Sequence, residues 1–72
     1  MEGFTPLLVA TSNRQYEVAE FLLQQHADSN AQNTLGQTPL HLATYNQNVA
    51  MVQLLLNHQA DCTLKNHKGQ TP

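Results

Sequence analysis

Three residues in the last third of the chain have side chains that can bind zinc. His58 and Cys62 are four positions apart, and His67 follows five positions later. Imidazole nitrogen and thiolate sulfur are ligands that Zn²⁺ prefers. The spacing matches no standard zinc motif, however, and the positions 33 residues earlier hold neither histidine nor cysteine. We therefore predict no metal site.

A second candidate for chemistry is His41, which lies in a short apolar segment. Histidine can act as a general base near neutral pH. The position 33 residues earlier is Leu8, so the same place in a similar stretch accepts a side chain that cannot take a proton. No nearby serine or cysteine stands in a recognisable nucleophile motif. We predict a structural role for His41, no catalysis and no cofactor.

The composition excludes several classes of partner. The chain has 72 residues, only three Lys or Arg and a formal net charge of −2, which argues against a phosphate backbone as partner. Its longest apolar runs are four residues, far short of the roughly 20 that span a bilayer. One cysteine cannot form an internal disulfide, and no secretory signal is visible. We predict an intracellular protein, cytoplasmic or nuclear, that binds neither nucleic acid nor membrane.

The chain contains one 33-residue unit twice. Gly3, Gly36 and Gly69 are 33 residues apart, and residues 3–35 match residues 36–68 at 12 of 33 positions. Identity at a fixed period of this length is typical of repeat proteins. We predict repeats at 3–35 and 36–68 and the start of a third at 69–72. The whole of 1–72 is then expected to be a fragment of a longer array.

Each unit predicts two helices and a loop. The pairs Thr5-Pro6 and Thr38-Pro39 are helix starts, since threonine can cap the first turn and proline needs no partner there. A polar break follows each short first helix. Apolar residues then recur at three-to-four-residue spacing over 18–23 and 51–56, which predicts the buried stripe of a second helix. Residues 28–37 carry the Asp, Asn, Thr and Gly of a turn.

These residues resemble a known family. The stretch Gly36-x-Thr38-Pro39-Leu40-His41-Leu42-Ala43, with Val52-x-Leu54-Leu55-Leu56 and Ala60-Asp61 after it, is similar to the ankyrin repeat. The resemblance implies an all-α solenoid of helix-turn-helix units with β-hairpin-like loops, or fingers. It also implies that His41 ties one repeat's loop to the next, and that the surface binds a protein through fingers and inner helices.

The chain departs from the family pattern at the ends of its helices. Where the family usually carries glycine, this sequence has Arg14, His26, Gln47 and Gln59. A left-handed backbone at a non-glycine residue costs about 1 kcal/mol, unless Asn13, Asn46 or Asn57 shifts the helix end. In the second loop, Thr63-Leu64 replaces the usual Asn-Ala, which puts that loop's hydrogen bonding in question.

The resemblance also implies which residues touch a partner. The fingers contribute Phe4, Thr34, Leu35, Gln37, His67, Lys68 and Gln70. The inner helices contribute Ser12, Asn13, Tyr45 and Asn46. Helix ends and the loops after them contribute Gln25, Gln32, His58 and Lys65. We expect Tyr45, Leu35 and Phe4 to contribute most, because aromatic anchors dominate interface energetics.

Two further expectations follow from the resemblance. Asn30, preceded by Leu22-Leu23, matches a loop asparagine that an oxygenase hydroxylates in some family members; the alternative is that it only braces the loop. Apolar residues are expected to be exposed at both ends of the stack, with Val9, Val18 and Phe21 at one end and Leu42, Met51 and Leu54 at the other. We therefore predict self-association or weak folding.

The leading functional hypothesis is a non-enzymatic protein-binding module. The alternative is a structural segment of a longer array that only spaces the binding repeats and has no partner contacts of its own.

Overall fold

Four α-helices make up the regular structure of the part of the chain that the structure describes. The computed structural model describes residues 5–72. Its helices are α1 (Pro6–Ser12), α2 (Tyr16–Gln24), α3 (Pro39–Tyr45) and α4 (Val49–Asn57). Within residues 5–72 there is no β-strand, and no helix is long and apolar enough to cross a membrane. The predicted all-α fold is confirmed.

α1 and α3 begin at the two Thr-Pro pairs. Thr5 Oγ1 accepts a hydrogen bond from Leu8 N at 3.3 Å, and Thr38 Oγ1 accepts one from His41 N at 3.3 Å. These side chains satisfy backbone donors that have no partner within the helix, and the proline after each threonine lacks that donor altogether. The predicted helix starts are therefore confirmed.

The helices form two pairs that stand side by side. α1 packs on α2 and α3 packs on α4, while α1 also contacts α3 and α2 contacts α4. The buried apolar core draws on all four helices: Leu7, Ala10, Ala19, Leu23, Leu40, Ala43, Met51, Leu54 and Leu55. One continuous core thus crosses the boundary between the first pair (α1 and α2) and the second pair (α3 and α4).

The prediction of exposed apolar residues at both ends of the stack is wrong for Met51 and Leu54. Phe21 in the first pair is 59% exposed, whereas Leu54, 33 positions later, is only 5% exposed. Val18 is likewise exposed, whereas its counterpart Met51 is fully buried. The reason is that this side of the second pair faces the first pair. Leu42, the third residue expected at that end, is half-buried.

The other side of each pair shows the opposite pattern. Thr11, Ala19 and Leu23 of the first pair are buried. Their counterparts in the second pair are Thr44, Val52 and Leu56, and we call these three residues the trailing face. Thr44 and Leu56 are exposed, and Val52 is half-buried. We call Val9, Val18 and Phe21 of the first pair the leading face. The stack thus has an apolar surface at each end.

All four helices end in a left-handed residue that is not glycine. The residues are Arg14, His26, Gln47 and Gln59, with φ between 55° and 67°. After α1, Arg14 N donates to Thr11 O at 3.2 Å and Gln15 N donates to Ala10 O at 2.8 Å. The same pair of bonds follows the other three helices, and it is a Schellman motif, which requires φ above zero at this residue. Asn13 and Asn46 keep negative φ, so neither helix end shifts onto them.

Glycine at these helix ends should therefore stabilise the fold. We expect His26→Gly to raise the free energy of unfolding by about 0.5 to 1 kcal/mol, because glycine adopts the left-handed region without a Cβ penalty. A urea titration followed by circular dichroism measures the change. Gln24→Gly, two residues earlier in α2, is the matched control and should lower stability by about 0.5 to 1 kcal/mol. Equal effects of the two substitutions would contradict the assignment of strain to His26.

Two hairpin-like fingers project from the stack, at residues 33–37 and 66–70. In the first, Asn33 N donates to Gln37 O at 3.0 Å, and Gly36 N donates to Asn33 O at 2.9 Å. In the second, Asn66 N donates to Gln70 O at 2.9 Å, and Gly69 N donates to Asn66 O at 2.9 Å. We call these loops the Asn33 finger and the Asn66 finger.

Candidate functional site

The two fingers lie against each other. His67 N donates to Leu35 O at 3.0 Å, which joins the two backbones. Gln32 Nε2 donates to Gly36 O at 2.9 Å and to Lys65 O at 3.2 Å, and so bridges both loops. Each finger is also braced from inside by the side chain of its first asparagine. Asn33 Oδ1 accepts hydrogen bonds from the backbone N–H groups of Leu35 and Gln37. Asn66 Oδ1 accepts the equivalent two bonds in the second finger. The fingers are thus held in one arrangement before any partner binds.

His41 connects α3 to the Asn66 finger. Its Nε2 lies 2.8 Å from Gln70 O, and its Nδ1 accepts from Thr38 N at 3.1 Å. Because a carbonyl oxygen only accepts, Nε2 carries the proton. His41 is buried, and its counterpart Leu8 is buried as well. The predicted role of His41 in tying one loop to the next is confirmed.

An open groove of about 600 Å³ lies between α3 and the two fingers. Six residues of the predicted partner surface line it: Leu35, Gln37, Tyr45, His67, Lys68 and Gln70. Tyr45 is 85% exposed and Leu35 is 62% exposed, so the two largest apolar groups at its edge are free to make new contacts. The described residues that line the groove include a lysine and no Asp or Glu. The groove can therefore take an apolar side chain next to a negative charge.

Comparison with known protein families identifies the family of this chain. The family model for ankyrin repeats in many copies matches residues 22–72. The chain belongs to the ankyrin repeat family. A model for a single ankyrin repeat also matches residues 2–34. Ankyrin repeats generally mediate protein–protein interaction and are typically non-enzymatic. No curated protein matched the chain significantly.

Three more predicted residues lie together at the ends of the inner ankyrin helices. Asn46 Nδ2 donates to Ser12 O at 3.4 Å, and Arg14 Nη2 donates to Asn46 O at 3.1 Å. Ser12 and Asn13 are exposed, and Asn46 is half-buried. These residues brace α1 against α3 and leave polar side chains beside Tyr45.

The remaining predicted residues are spread over other parts of the ankyrin surface. Gln25 and His58 are the C-cap residues of α2 and α4, exposed and half-buried respectively. Thr34, Lys65 and Gln70 are exposed on or beside the fingers. Phe4 lies outside the described residues. Of these residues, those that the structure describes lie outside the groove, except for Gln70, which lines it.

Thr44 lines the groove and was missed by reasoning from the sequence. The prediction took the contact positions that the resemblance implies, and Thr44 is not among them, although it lines the groove and is identical to its counterpart Thr11. Thr11 is fully buried and donates its hydroxyl to Leu7 O at 2.8 Å. The same residue type is thus packed in the first repeat and exposed in the second, a difference that no feature of the sequence signals.

Asn30 braces two consecutive ankyrin loops. Its Oδ1 accepts from Asp61 N at 2.7 Å, and its own N donates to Asp28 Oδ1 at 2.9 Å. The predicted bracing role is therefore confirmed, and hydroxylation of Asn30 stays a prediction.

The loop that carries Thr63 in place of asparagine also has its hydrogen bonds. The hydroxyl and the backbone N–H of Thr63 both donate to Asp61 Oδ1. These two bonds lower the pKa of Asp61 below its usual value, because they stabilise the ionised carboxylate; the bond from the Thr63 hydroxyl has the larger effect. Any stability they contribute is present above the ordinary pKa of aspartate and is lost as the pH falls through the lowered one.

The residues considered for zinc do not form a cluster in the part of the chain that the structure describes. Among residues 5–72, no group of three or more His, Cys, Asp or Glu side chains is placed to hold a metal ion. Cys62 is exposed and forms no disulfide with any residue in that range.

Proposed function

We propose that this chain binds a protein partner through the groove between α3 and the two fingers. The observation that carries the proposal is the placement of Tyr45 and Leu35, both strongly exposed, on the rim of one groove. Exposed aromatic and aliphatic side chains around a concavity are typical anchors of protein interfaces.

The charges of the groove favour a particular kind of partner segment. Lys68 lies at the rim, and no side chain among the described lining residues is negatively charged, although the chain as a whole has a formal net charge of −2. Complementary charges steer association and fix the register of a bound chain. We propose that the partner offers an apolar side chain to Tyr45 and Leu35 and a carboxylate to Lys68.

The hydrogen bonds between the fingers support such binding. His67 N to Leu35 O and the two bonds of Gln32 Nε2 hold the walls of the groove in place. A surface that is already ordered loses less conformational entropy when a partner binds.

Tyr45→Ala tests the groove directly. Peptides selected from a random library on the purified chain provide ligands, and isothermal titration calorimetry measures their affinity. We expect the substitution to weaken binding by more than about 1 kcal/mol, because it removes the largest exposed group of the groove. Helicity should not change, since Tyr45 is exposed at the end of α3.

The matched control is Tyr16→Ala, which removes the same side chain from α2, outside the groove. It should leave the affinity of the selected peptides unchanged. If neither Tyr45→Ala nor Leu35→Ala weakens binding more than this control, the groove is not the site. The alternative role, a segment that only spaces other repeats, would then be favoured.

We propose that residues 3–35 and 36–68 are the two repeats and that residues 69–72 repeat the opening of the second. We place the protein in the cytoplasm or nucleus, where an exposed free thiol such as Cys62 stays reduced. We also propose that copies of the chain self-associate through the apolar leading and trailing faces.

A further inference from the structure

We infer that Arg14 is a second charged contact of the groove, so that the partner segment carries negative charges on both sides of its apolar anchor. The inference rests on the proposed function of the groove and specifies the class of its partner, an acidic segment of another protein. Lys68 at the fingers then contacts one negative group, and Arg14 at the other end of α3 contacts the second.

Arg14 reaches across the boundary between the two helix pairs. It is the left-handed residue after α1, and its Nη2 donates to the backbone oxygen of Asn46, the C-cap residue of α3, at 3.1 Å. Asn46 directly follows Tyr45, the most exposed of the large apolar residues. The bond therefore holds the guanidinium of the first pair next to the end of α3 that carries Tyr45.

Most of the hydrogen-bonding capacity of Arg14 is left for a partner. A guanidinium is a planar fork of N–H donors, and within residues 5–72 one of these donors is used, by Asn46 O. That acceptor is a neutral carbonyl, which does not cancel the positive charge. Glu17 is the nearest acidic residue along the chain, but the hydrogen bond of the guanidinium goes to α3 instead. Because Arg14 is exposed, its other donors can bind a carboxylate with two parallel bonds.

Positive and negative side chains occupy different parts of the described chain. The cations lie at the end of α3 or on and beside the fingers: Arg14, Lys65 and Lys68. The acidic residues that the structure describes lie in α2 or in the loops after α2 and α4, and none lines the groove: Glu17, Glu20, Asp28 and Asp61. Complementary charges steer association and fix the register of a bound segment. This division favours an acidic partner along α3, although the net charge of the chain is negative.

The exposure of these contacts does not depend on which unit stands next to them. Ser12, the counterpart of Tyr45, is exposed although the second helix pair packs beside it. Leu35, the counterpart of Lys68, is 62% exposed although the Asn66 finger is bonded to its backbone. The guanidinium lies at the internal boundary itself and is exposed there. The three contacts therefore stay open in a stack of any length.

The length of α3 sets the smallest spacing of the two negative groups. α3 has seven residues, and at about 1.5 Å per residue its ends are about 10 Å apart. Lys68 belongs to the finger that His41 joins to the first turn of α3, whereas Arg14 is bonded to its last turn. An extended peptide covers about 3.3 Å per residue. The acidic residues of the partner are therefore expected at least about three positions apart, with the apolar anchor between them.

Arg14→Gln removes the charge and keeps the backbone conformation. Gln47, 33 positions later, is a glutamine with φ of 55°, against 59° at Arg14. Circular dichroism should therefore show unchanged helicity. Lys65→Gln is the matched control, because Lys65 is exposed, does not line the groove and contacts Gln32 through its backbone oxygen. Both substitutions change the net charge by the same amount.

The probe is a set of peptides selected from a random library on the wild-type chain. We expect these peptides to carry acidic residues on both sides of an apolar one. Isothermal titration calorimetry in about 50 mM salt, where charges are weakly screened, measures their affinity. Arg14→Gln and Lys68→Gln should each weaken binding at least about threefold, and Lys65→Gln should leave it unchanged. The two losses should shrink in about 500 mM salt.

Substitutions in the peptide show which cation each carboxylate contacts. In the tightest peptide, each Asp or Glu in turn is replaced by its amide, and the affinity is measured on the wild type and on the two variants. One replacement should abolish the loss caused by Arg14→Gln and keep the loss caused by Lys68→Gln. The replacement on the other side of the apolar residue should do the reverse. If Arg14 only braced α1 against α3, its substitution would weaken all these peptides alike.

Two results would overturn the inference, in distinguishable ways. Peptides that are weakened by Tyr45→Ala, but that bind the Arg14→Gln and Lys65→Gln variants equally or show no coupling between a carboxylate and Arg14, leave the groove in place and remove Arg14 from it. A selection that yields no peptide weakened by Tyr45→Ala or Leu35→Ala removes the groove itself, and the inference falls with it.

Discussion

Leu55→Ala is expected to lower the free energy of unfolding by about 2 to 5 kcal/mol, the range found when a buried leucine is truncated. Leu55 lies in α4, is fully buried and belongs to the core that joins both helix pairs. The substitution removes three carbon atoms and leaves a cavity that neighbouring side chains fill only in part. A domain of this size has few other core contacts with which to offset the loss. We therefore expect a large unfolded fraction at 25 °C.

Leu56→Ala, one residue further along α4, is the matched control. Leu56 is 46% exposed, so its truncation should cost less than about 1 kcal/mol. Both variants are measured by urea titration at micromolar concentration, because association through the trailing face would add apparent stability. Similar losses for the two leucines would contradict the orientation of α4.

Gly36→Ala is expected to cost about 2 kcal/mol or more, since it combines backbone strain with a steric clash. Gly36 has φ of 77°, in the left-handed region that disfavours a Cβ. A Cβ there would lie 2.5 Å from His67 Cδ2 and 2.8 Å from His67 N. The ring of His67 can turn away, but its backbone N is held by the bond to Leu35 O. The two fingers must therefore separate.

Gly69→Ala separates these two contributions. Gly69 also has φ of 77°, but a Cβ there meets nothing within 4 Å. Its substitution should cost only the backbone term, about 1 kcal/mol. Urea titrations measure the loss of unfolding free energy for both substitutions. The affinity of the selected peptides reports on the groove: we expect Gly36→Ala to weaken peptide binding and Gly69→Ala to leave it unchanged. If Gly69→Ala is as damaging as Gly36→Ala, the contact between the fingers does not have the importance we assign to it.

Local features of the sequence were predictable because they depend on neighbouring residues. The Thr-Pro pairs mark helix starts because the hydroxyl of Thr38 can accept a hydrogen bond from the first turn and Pro39 has no backbone N–H that needs a partner. Neither property depends on the fold. The position of His41 three residues after Thr38 also allows its ring to reach the Thr38 backbone, as observed. That His41 ties one repeat's loop to the next came only from the resemblance to a family, and the structure shows the bond, to Gln70 O.

Some of the residues that line the groove were predicted from the sequence. Family contact positions named Leu35, Tyr45 and His67, and the structure places all three on one groove. They also named Gln25 and His58, which lie at the ends of α2 and α4, away from it. Spacing along one chain does not show how far apart two fingers and a helix end will be, because this distance depends on how the two units pack.

The repeating unit, the four helices and the turns could all be read from the sequence, since these follow from spacing and from the local chemistry of each residue. Which apolar residues are buried could be learned only from how the two helix pairs pack. Phe21 and Leu54 occupy the same position of the unit, yet one is exposed and the other is buried. The physical reason is that burial depends on the unit that stands next to a residue. Helical periodicity indicates only on which face of its helix a residue lies.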